Sequence, residues 1–221
     1  MPGSPKPFSD RRHAGRVLGQ LLGRFAKRDD AIVLALPRGG VPVGFEVARE
    51  LHAPLDVFLV RKLGVPGHEE LAMGAVASGD VTIVSREIIR DLRISDDDLR
   101  STTAREIEEL RRRERLYRAG SPAPALTGRI VILVDDGLAT GASMLAAVSA
   151  VRRMSPKRLV VAVPVAPVES RAELGDVADE LIIAATPEPF FSVGAWYDDF
   201  SQITDDEVGR LLAGANGKTV A

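Results

Sequence analysis

No cysteine occurs in the 221 residues. Disulfides, thiolate metal sites and a cysteine nucleophile are thereby excluded, and the absence suits a reducing compartment. Aromatic residues are scarce, at 5% of the chain, which argues against a base-stacking platform for single-stranded nucleic acid. An excess of one charge is also missing. Lys and Arg number 29 against 31 Asp and Glu, a formal net charge of −2, so no global basic field recruits nucleic acid or an acidic membrane. The longest apolar run, LVVAVPVAPV at residues 159–168, is about half of what a membrane-spanning helix needs. The start, MPGSPKPFSDRRHAG, has no apolar signal-peptide segment. Neither G-x-x-x-x-G-K-[ST] nor G-x-S-x-G appears, so a P-loop nucleotidase and a serine elbow are unsupported. The expectation is a soluble, cytoplasmic protein.

What is present is ordinary for a globular chain: 45% hydrophobic and 27% charged residues, and enough length to bury a core without staples. One domain is expected over residues 1–221, with a core at about 30–185, an insertion at about 63–120 and a C-terminal hood at about 186–204. Residues 1–8 read as a loose leader and 214–221 as a disordered tail.

Apolar spacing predicts a helix over 11–27, a buried strand over 31–36, a helix over 43–51 and a strand over 54–60 that ends at Arg61 and Lys62. Strands alternating with helices imply βαβ units and an open parallel sheet with helices on both faces. The middle interrupts that rhythm. AMGAVASGDVTIVS reads as two short strands around a turn. Ser95 followed by three aspartates then opens a charged helix, Asp96–Arg118, with Glu108–Arg112 and Glu109–Arg113 at the favourable i,i+4 spacing. Strands resume at Ile130–Val134, 159–165 and 180–184, with helices at 142–154, 169–175 and after Thr204.

The most informative stretch is RIVILVDDGLATGAS, residues 129–143. A buried strand runs into two carboxylates, Asp135 and Asp136, at the point where open parallel sheets bind ligands. Gly137, Leu138, Ala139, Thr140, Gly141, Ala142 and Ser143 follow as a loop that opens a helix. Small residues there let backbone N–H groups approach an anion, and the helix N-terminus favours it. The loop attracts an anion while the acids repel one. The two agree only for a ligand with separate ends: a phosphate at the loop, and hydroxyls at the carboxylates, taken directly or through a cation. A sugar phosphate has that polarity.

VILVDDGLATGAS resembles the 5-phosphoribosyl-1-diphosphate (PRPP) signature of type I phosphoribosyltransferases, and the chain resembles that family over roughly residues 30–185. It looks closest to the group carrying PRGG and DDGLATGA strings with a long charged insertion. The resemblance implies that Asp135 and Asp136 contact the ribose hydroxyls and hold Mg²⁺, and that Ala139 to Ser143 cradle the 5′-phosphate. Many members carry a branched apolar residue after the acids, where this chain has Gly137, a difference expected to loosen the loop. Leu36–Gly40 (LPRGG) corresponds to the pyrophosphate loop, commonly with a non-proline cis peptide; Arg38 would meet phosphate oxygens and Gly39 and Gly40 would permit the backbone. Arg61 and Lys62 would neutralise the leaving diphosphate.

The implied reaction is Mg²⁺-dependent transfer of the phosphoribosyl group to an unidentified acceptor, a nucleobase or related amine, with release of pyrophosphate and inversion at C1′. Asp136 is a candidate base by position only. The alternatives are a non-catalytic PRPP- or nucleotide-sensing regulator, with Arg111, Arg112, Arg113 and Arg115 as a patch for RNA, and a hydrolase of PRPP-type compounds. Among partners, neither nucleic acid nor membrane is expected, and a homodimer is. The 96–118 helix reads as a lid, a dimer arm or a solvated prop, the last two preferred. Phe190, Phe191, Trp196, Tyr197 and Phe200 either stack on the acceptor or seal the sheet edge. His13 and His52 read as surface residues, and His68, beside Glu69 and Glu70, as a weak site candidate.

Overall fold

Strands that are apolar at every position demand cover on both faces, and that demand shapes this molecule. The computed structural model describes residues 7–215. Its strands are β1 (Ala31–Ala35), β2 (Leu55–Val57), β3 (Val60–Val65), β4 (His68–Ala77), β5 (Val81–Val84), β6 (Ile130–Val134), β7 (Arg158–Val165) and β8 (Glu180–Ala185). Its α-helices are α1 (Arg11–Leu21), α2 (Gly40–Leu51), α3 (Arg86–Asp91), α4 (Asp96–Arg118), α5 (Ala142–Arg152), α6 (Ser170–Gly175) and α7 (Asp205–Ala215).

Five strands form a parallel sheet in the order β2-β1-β6-β7-β8. Alternate residues divide between two cores, as the strand period of two requires. Val33 of β1, Ile132 of β6 and Val160 of β7 face one core, with Leu18 of α1, Val47 of α2 and Leu211 of α7. Their neighbours Leu34, Leu133 and Val161 face the other, with Met144 and Val148 of α5 and Leu174 of α6. Helices therefore cover both faces, as expected. No helix among the described residues is long and apolar enough to cross a membrane.

A second sheet, β3-β4-β5, is antiparallel. It corrects the expected strand over 54–60. The edge strand stops at Val57, the Phe58 amide still donates to the Ala35 carbonyl at 2.9 Å, and the Leu59 amide turns to Ser78 Oγ at 3.0 Å. Val60 then begins the hairpin. Arg61 and Lys62 thus lie within β3, not at the C-terminal end of a core strand.

Helix α4 has the predicted bounds, with Ser95 Oγ accepting the Asp98 amide at 3.1 Å. The expected Glu109–Arg113 pair forms at 2.8 Å, but Arg112 turns to Glu109 as well, at 2.7 Å, instead of to Glu108. Half-buried Arg118 fastens the helix to β2 through Asp56 at 3.0 Å and the Val57 carbonyl at 3.1 Å. Tyr117 donates to Asp205 of α7 at 2.6 Å. The helix is thus tied to the rest of the molecule at several points.

At the chain's start, α1 is shorter than the pattern suggested; it closes at Leu22 and a 3-10 turn, Gly23–Phe25, follows. Of the expected loose leader, residues 1–6 lie outside the described residues, while Phe8 is buried and its amide donates to the Trp196 carbonyl at 3.3 Å. Gly214 and Ala215 of the expected tail end α7; the rest of that tail lies outside the described residues.

Candidate functional site

At the C-terminal ends of β1 and β6 two turns meet. The Leu36–Gly40 turn leaves β1, and the Leu36 amide donates to the Val134 carbonyl at 2.9 Å, which continues the β1–β6 pairing to the edge of the site. The Pro37–Arg38 peptide is cis. Gly39 and Gly40 then let this turn lie against the acids. A Cβ on Gly39 would stand 2.0 Å from Asp136 Oδ2, and one on Gly40 would stand 2.8 Å from the Val134 carbonyl oxygen and 2.9 Å from Asp135 Cα. Only residues without side chains permit that approach.

A cavity of about 100 Å³ opens at this junction, with Pro37, Phe58, Arg61, Arg113, Asp135 and Ser143 in its wall. Four elements contribute polar groups: β3 a guanidinium, α4 a second one, the end of β6 a carboxylate and the start of α5 a hydroxyl. A larger groove of about 990 Å³ runs beside the end of α4 and along α7, but none of the residues expected to carry chemistry lines it. The small cavity is the candidate site because opposed charges and a helix N-terminus converge there.

The two acids are placed unequally. Asp135 faces the cavity and its Oδ1 accepts the Asp136 amide at 2.8 Å. Burial raises its pKa well above the ordinary carboxylate value, and the neighbouring charge of Asp136 adds to that rise; the Asp136 amide and Arg11 oppose it. Asp136 also titrates high because it is buried, but Arg11 pulls it back. Arg11 Nε donates to Asp136 Oδ2 at 2.8 Å, and Arg11 NH1 donates to the Ser201 carbonyl at 2.8 Å. The same guanidinium lies 3.8 Å above the Phe200 ring. Tyr197 donates its hydroxyl to the Asp136 carbonyl at 2.6 Å.

The loop after the acids divides in two. Gly137 and Leu138 are core residues: a Cβ on Gly137 would press within 2.5 Å of Val193 and 2.9 Å of Val165, and the Leu138 amide donates to the Val165 carbonyl at 2.9 Å. Gly137 therefore fastens the loop, contrary to the looseness expected of it. Ala139, Thr140, Ala142 and Ser143 are exposed, and Gly141, in the left-handed conformation at φ 70°, begins α5.

The basic residues need one correction. Successive side chains on a strand point to opposite faces, so Arg61 and Lys62 cannot both enter one crevice from β3. Arg61 lines the cavity and is bound to Glu106. Lys62 is exposed and donates to the Glu70 carbonyl at 3.1 Å. Arg38 does not line the cavity; its NH1 stands 3.8 Å from Asp205. His68 is exposed, 3.8 Å from Glu70.

Sequence reasoning missed Arg113 and Arg11. Arg113 belongs to the basic patch of the sequence, yet Glu106, Leu110, Arg113 and Tyr117 fall at intervals of four, three and four, one stripe of the helix. The patch itself is largely paired, Arg111 with Asp80 at 2.8 Å and Arg112 and Arg113 with Glu109. Arg11 had a subtler signal, a cation in the first turn of a helix, where the dipole disfavours it. Of the hood aromatics, Tyr197 is buried with Phe8 and Val165, and Phe190 and Trp196 pack against that cluster, so most of them seal the edge. Phe191 is 80% exposed.

No group of three or more His, Asp or Glu side chains able to hold a metal ion exists among the described residues. A magnesium ion commonly leans on one or two carboxylates plus substrate phosphates, and the cavity-facing carboxylate of Asp135 suits that mode.

A family model described as "Phosphoribosyl transferase domain" matches residues 11–186. Curated proteins of Mycobacterium tuberculosis, from strains CDC 1551 / Oshkosh and ATCC 25618 / H37Rv, provisionally named phosphoribosyl transferases, are each 44% identical over 207 residues. The match covers 94% of this chain and 46% of those proteins, so the chain spans about half the length of the curated relatives it matches. The crystal structure of TT1426 from Thermus thermophilus is 45% identical, with a TM-score of 0.82 over 94% of this chain and 98% of that one.

Proposed function

We propose that this chain, which belongs to the phosphoribosyl transferase family, binds PRPP at the junction of β1 and β6 and transfers its phosphoribosyl group to an acceptor. The observation that carries this reading is the single cavity in which Asp135, Ser143, Arg61 and Arg113 meet. Each group suits one part of the ligand. The Asp135 carboxylate accepts hydrogen bonds from ribose hydroxyls. The exposed loop from Ala139 to Ser143, at the N-terminus of α5, takes the 5′-phosphate. Arg61 and Arg113 face the diphosphate, with the half-buried Arg38 on the β1 turn.

In the reaction the acceptor's lone pair forms a bond to C1′ as the bond from C1′ to the diphosphate oxygen breaks. The electron pair of that bond leaves with pyrophosphate, and the acceptor's proton passes to solvent or a base. Negative charge grows on the departing oxygen, and the two guanidiniums are placed to offset it in a partly enclosed site. Asp135 would hold a magnesium ion, which would supply further charge neutralisation. The chain otherwise works by holding the sugar still while the nucleophile approaches. The acceptor class we favour is a nucleobase or related amine.

Release of pyrophosphate from PRPP and Mg²⁺ across a panel of bases and amines tests this, with Asp135→Asn as the control. Turnover with one class of acceptor supports transfer. Release with no acceptor present would identify a hydrolase, and PRPP binding without any turnover would identify a sensor.

A further inference from the structure

A second cleft, of about 500 Å³, lies at the other end of the sheet, where the strands begin. Buried Phe25 and Ile130 give it an apolar base, and Arg24, Arg28, Lys157 and Arg158 supply four cations to its wall. Ile130 opens β6 and Arg158 opens β7. The five residues of β6, roughly 16 Å of strand rise, therefore separate this cleft from Asp135.

The acids at the cleft are fewer than the cations. Asp30 is shared by Arg28, whose Nε and NH2 donate at 2.9 and 3.0 Å, and by Lys157 at 3.0 Å. Glu180 is shared by Arg158, at 2.9 Å, and Arg24. Asp179, the acid in the wall, is taken by Arg152 at 2.8 Å and by the Leu159 amide at 2.6 Å. Each shared acid offsets one of its two cations, so two positive charges have no counter-charge among these acids. The cations are also held in place. The Arg24 and Arg158 guanidiniums lie 5.1 and 5.8 Å from the Phe25 ring centroid, and Asp30 grips Arg28 through two bonds. Groups already ordered lose little freedom on taking a ligand. Their side chains remain 43–58% exposed.

We propose that this cleft is a second anion site, which takes the phosphate or diphosphate group of a small phosphorylated molecule. A doubly charged phosphate matches the excess positive charge, and its oxygens suit guanidinium forks. The volume leaves room for the body that carries the phosphate. A closed-in cleft on a chain of net charge −2 favours such a ligand over a nucleic-acid strand, which needs an extended basic face. The site is independent of the transfer reaction.

Calorimetric titration with inorganic pyrophosphate, alongside thermal melts, tests it. The wild type should bind in the cleft, and Lys157→Gln, at an exposed position, should weaken that phase about three-fold without changing the melting temperature. Lys157→Gln with Arg158→Gln should abolish it. Glu180→Gln frees two guanidiniums and should tighten it three- to ten-fold, an effect opposite in sign to the loss of stability that breaking an ion pair brings. Uptake that responds to Arg113→Ala and to none of the cleft variants would overturn the proposal. So would a Glu180→Gln variant that melts lower without binding more tightly, or a wild type that takes up no pyrophosphate. Uptake lost with the cleft variants and indifferent to Arg113→Ala would uphold this site while counting against the diphosphate subsite at the β1–β6 junction.

Discussion

Arg61 meets Glu106 through two nitrogens at one carboxylate oxygen, Nε at 2.7 Å and NH2 at 2.6 Å. The pair joins β3 to α4 beside the candidate diphosphate subsite. Glu106 therefore competes with any phosphate for the same guanidinium. Replacing it by Gln frees Arg61 and removes a negative charge from the approach. Glu106→Gln should strengthen pyrophosphate binding by roughly three- to ten-fold, ten-fold corresponding to about 1.4 kcal/mol. It should also weaken the fold by roughly 1–3 kcal/mol, because the half-buried guanidinium loses its ionic partner. Calorimetry and urea denaturation read the two effects separately, and weaker binding would show that Glu106 aims Arg61 instead of restraining it.

Arg113 and Lys62 should exchange the importance that their sequence positions suggested. Arg113→Ala removes a guanidinium from the cavity, so pyrophosphate affinity should fall about ten-fold, with a weaker dependence on salt. Its partner Glu109 keeps Arg112, so stability should move by under about 0.5 kcal/mol. Lys62→Ala should leave affinity nearly unchanged. Titrations at two ionic strengths compare them.

Asp135→Asn should raise the melting temperature at neutral pH even as it impairs binding. Burial lifts the folded pKa of Asp135 above its unfolded value. A group raised in this way favours the fold below the unfolded pKa and loses that contribution as pH climbs through the folded pKa. Above the unfolded pKa this burial is a net cost to the fold that the neutral amide lacks. The advantage of the variant should shrink as pH falls toward the ordinary carboxylate range. Melts over a pH series measure this, and a constant difference between variant and wild type would refute it.

Gly40→Ala tests the close approach of the two turns. The added methyl meets backbone atoms of Val134 and Asp135 below 3.0 Å, and backbone cannot swing aside like a side chain. A cost of about 1–3 kcal/mol is expected from overpacking, with weakened PRPP binding, because the strain falls on the acid-bearing turn. Denaturation midpoints and calorimetry on one sample check both. Unchanged values would mean that the turns separate easily.

The parallel sheet was legible because its strands are written as unbroken apolar runs, 31–35 and 130–134 above all, and because α4 announces itself with Ser95 and three aspartates. The acid pair and its loop were legible as one local string. The branch at Phe58 was not. An apolar run records burial but not direction, and the turn of Leu59 toward Ser78 depends on a residue 19 positions away. Lys62 was misjudged for that reason: its facing follows from which sheet owns β3. Arg113 and Arg11 were hidden because each acts across the fold. Arg11 and Asp136 are 125 positions apart, a distance no local pattern encodes.

Tyr197 reaches the acid-bearing turn from late in the chain, and Arg11, itself held by the Ser201 carbonyl, reaches it from early on. The turn that carries the acids is thus held by segments far apart in the chain. Any fragment cut between the last sheet strand and residue 201, or begun beyond residue 11, would keep every strand yet lose the clasp around its carboxylates. Trimming intended to aid crystallisation should spare both margins.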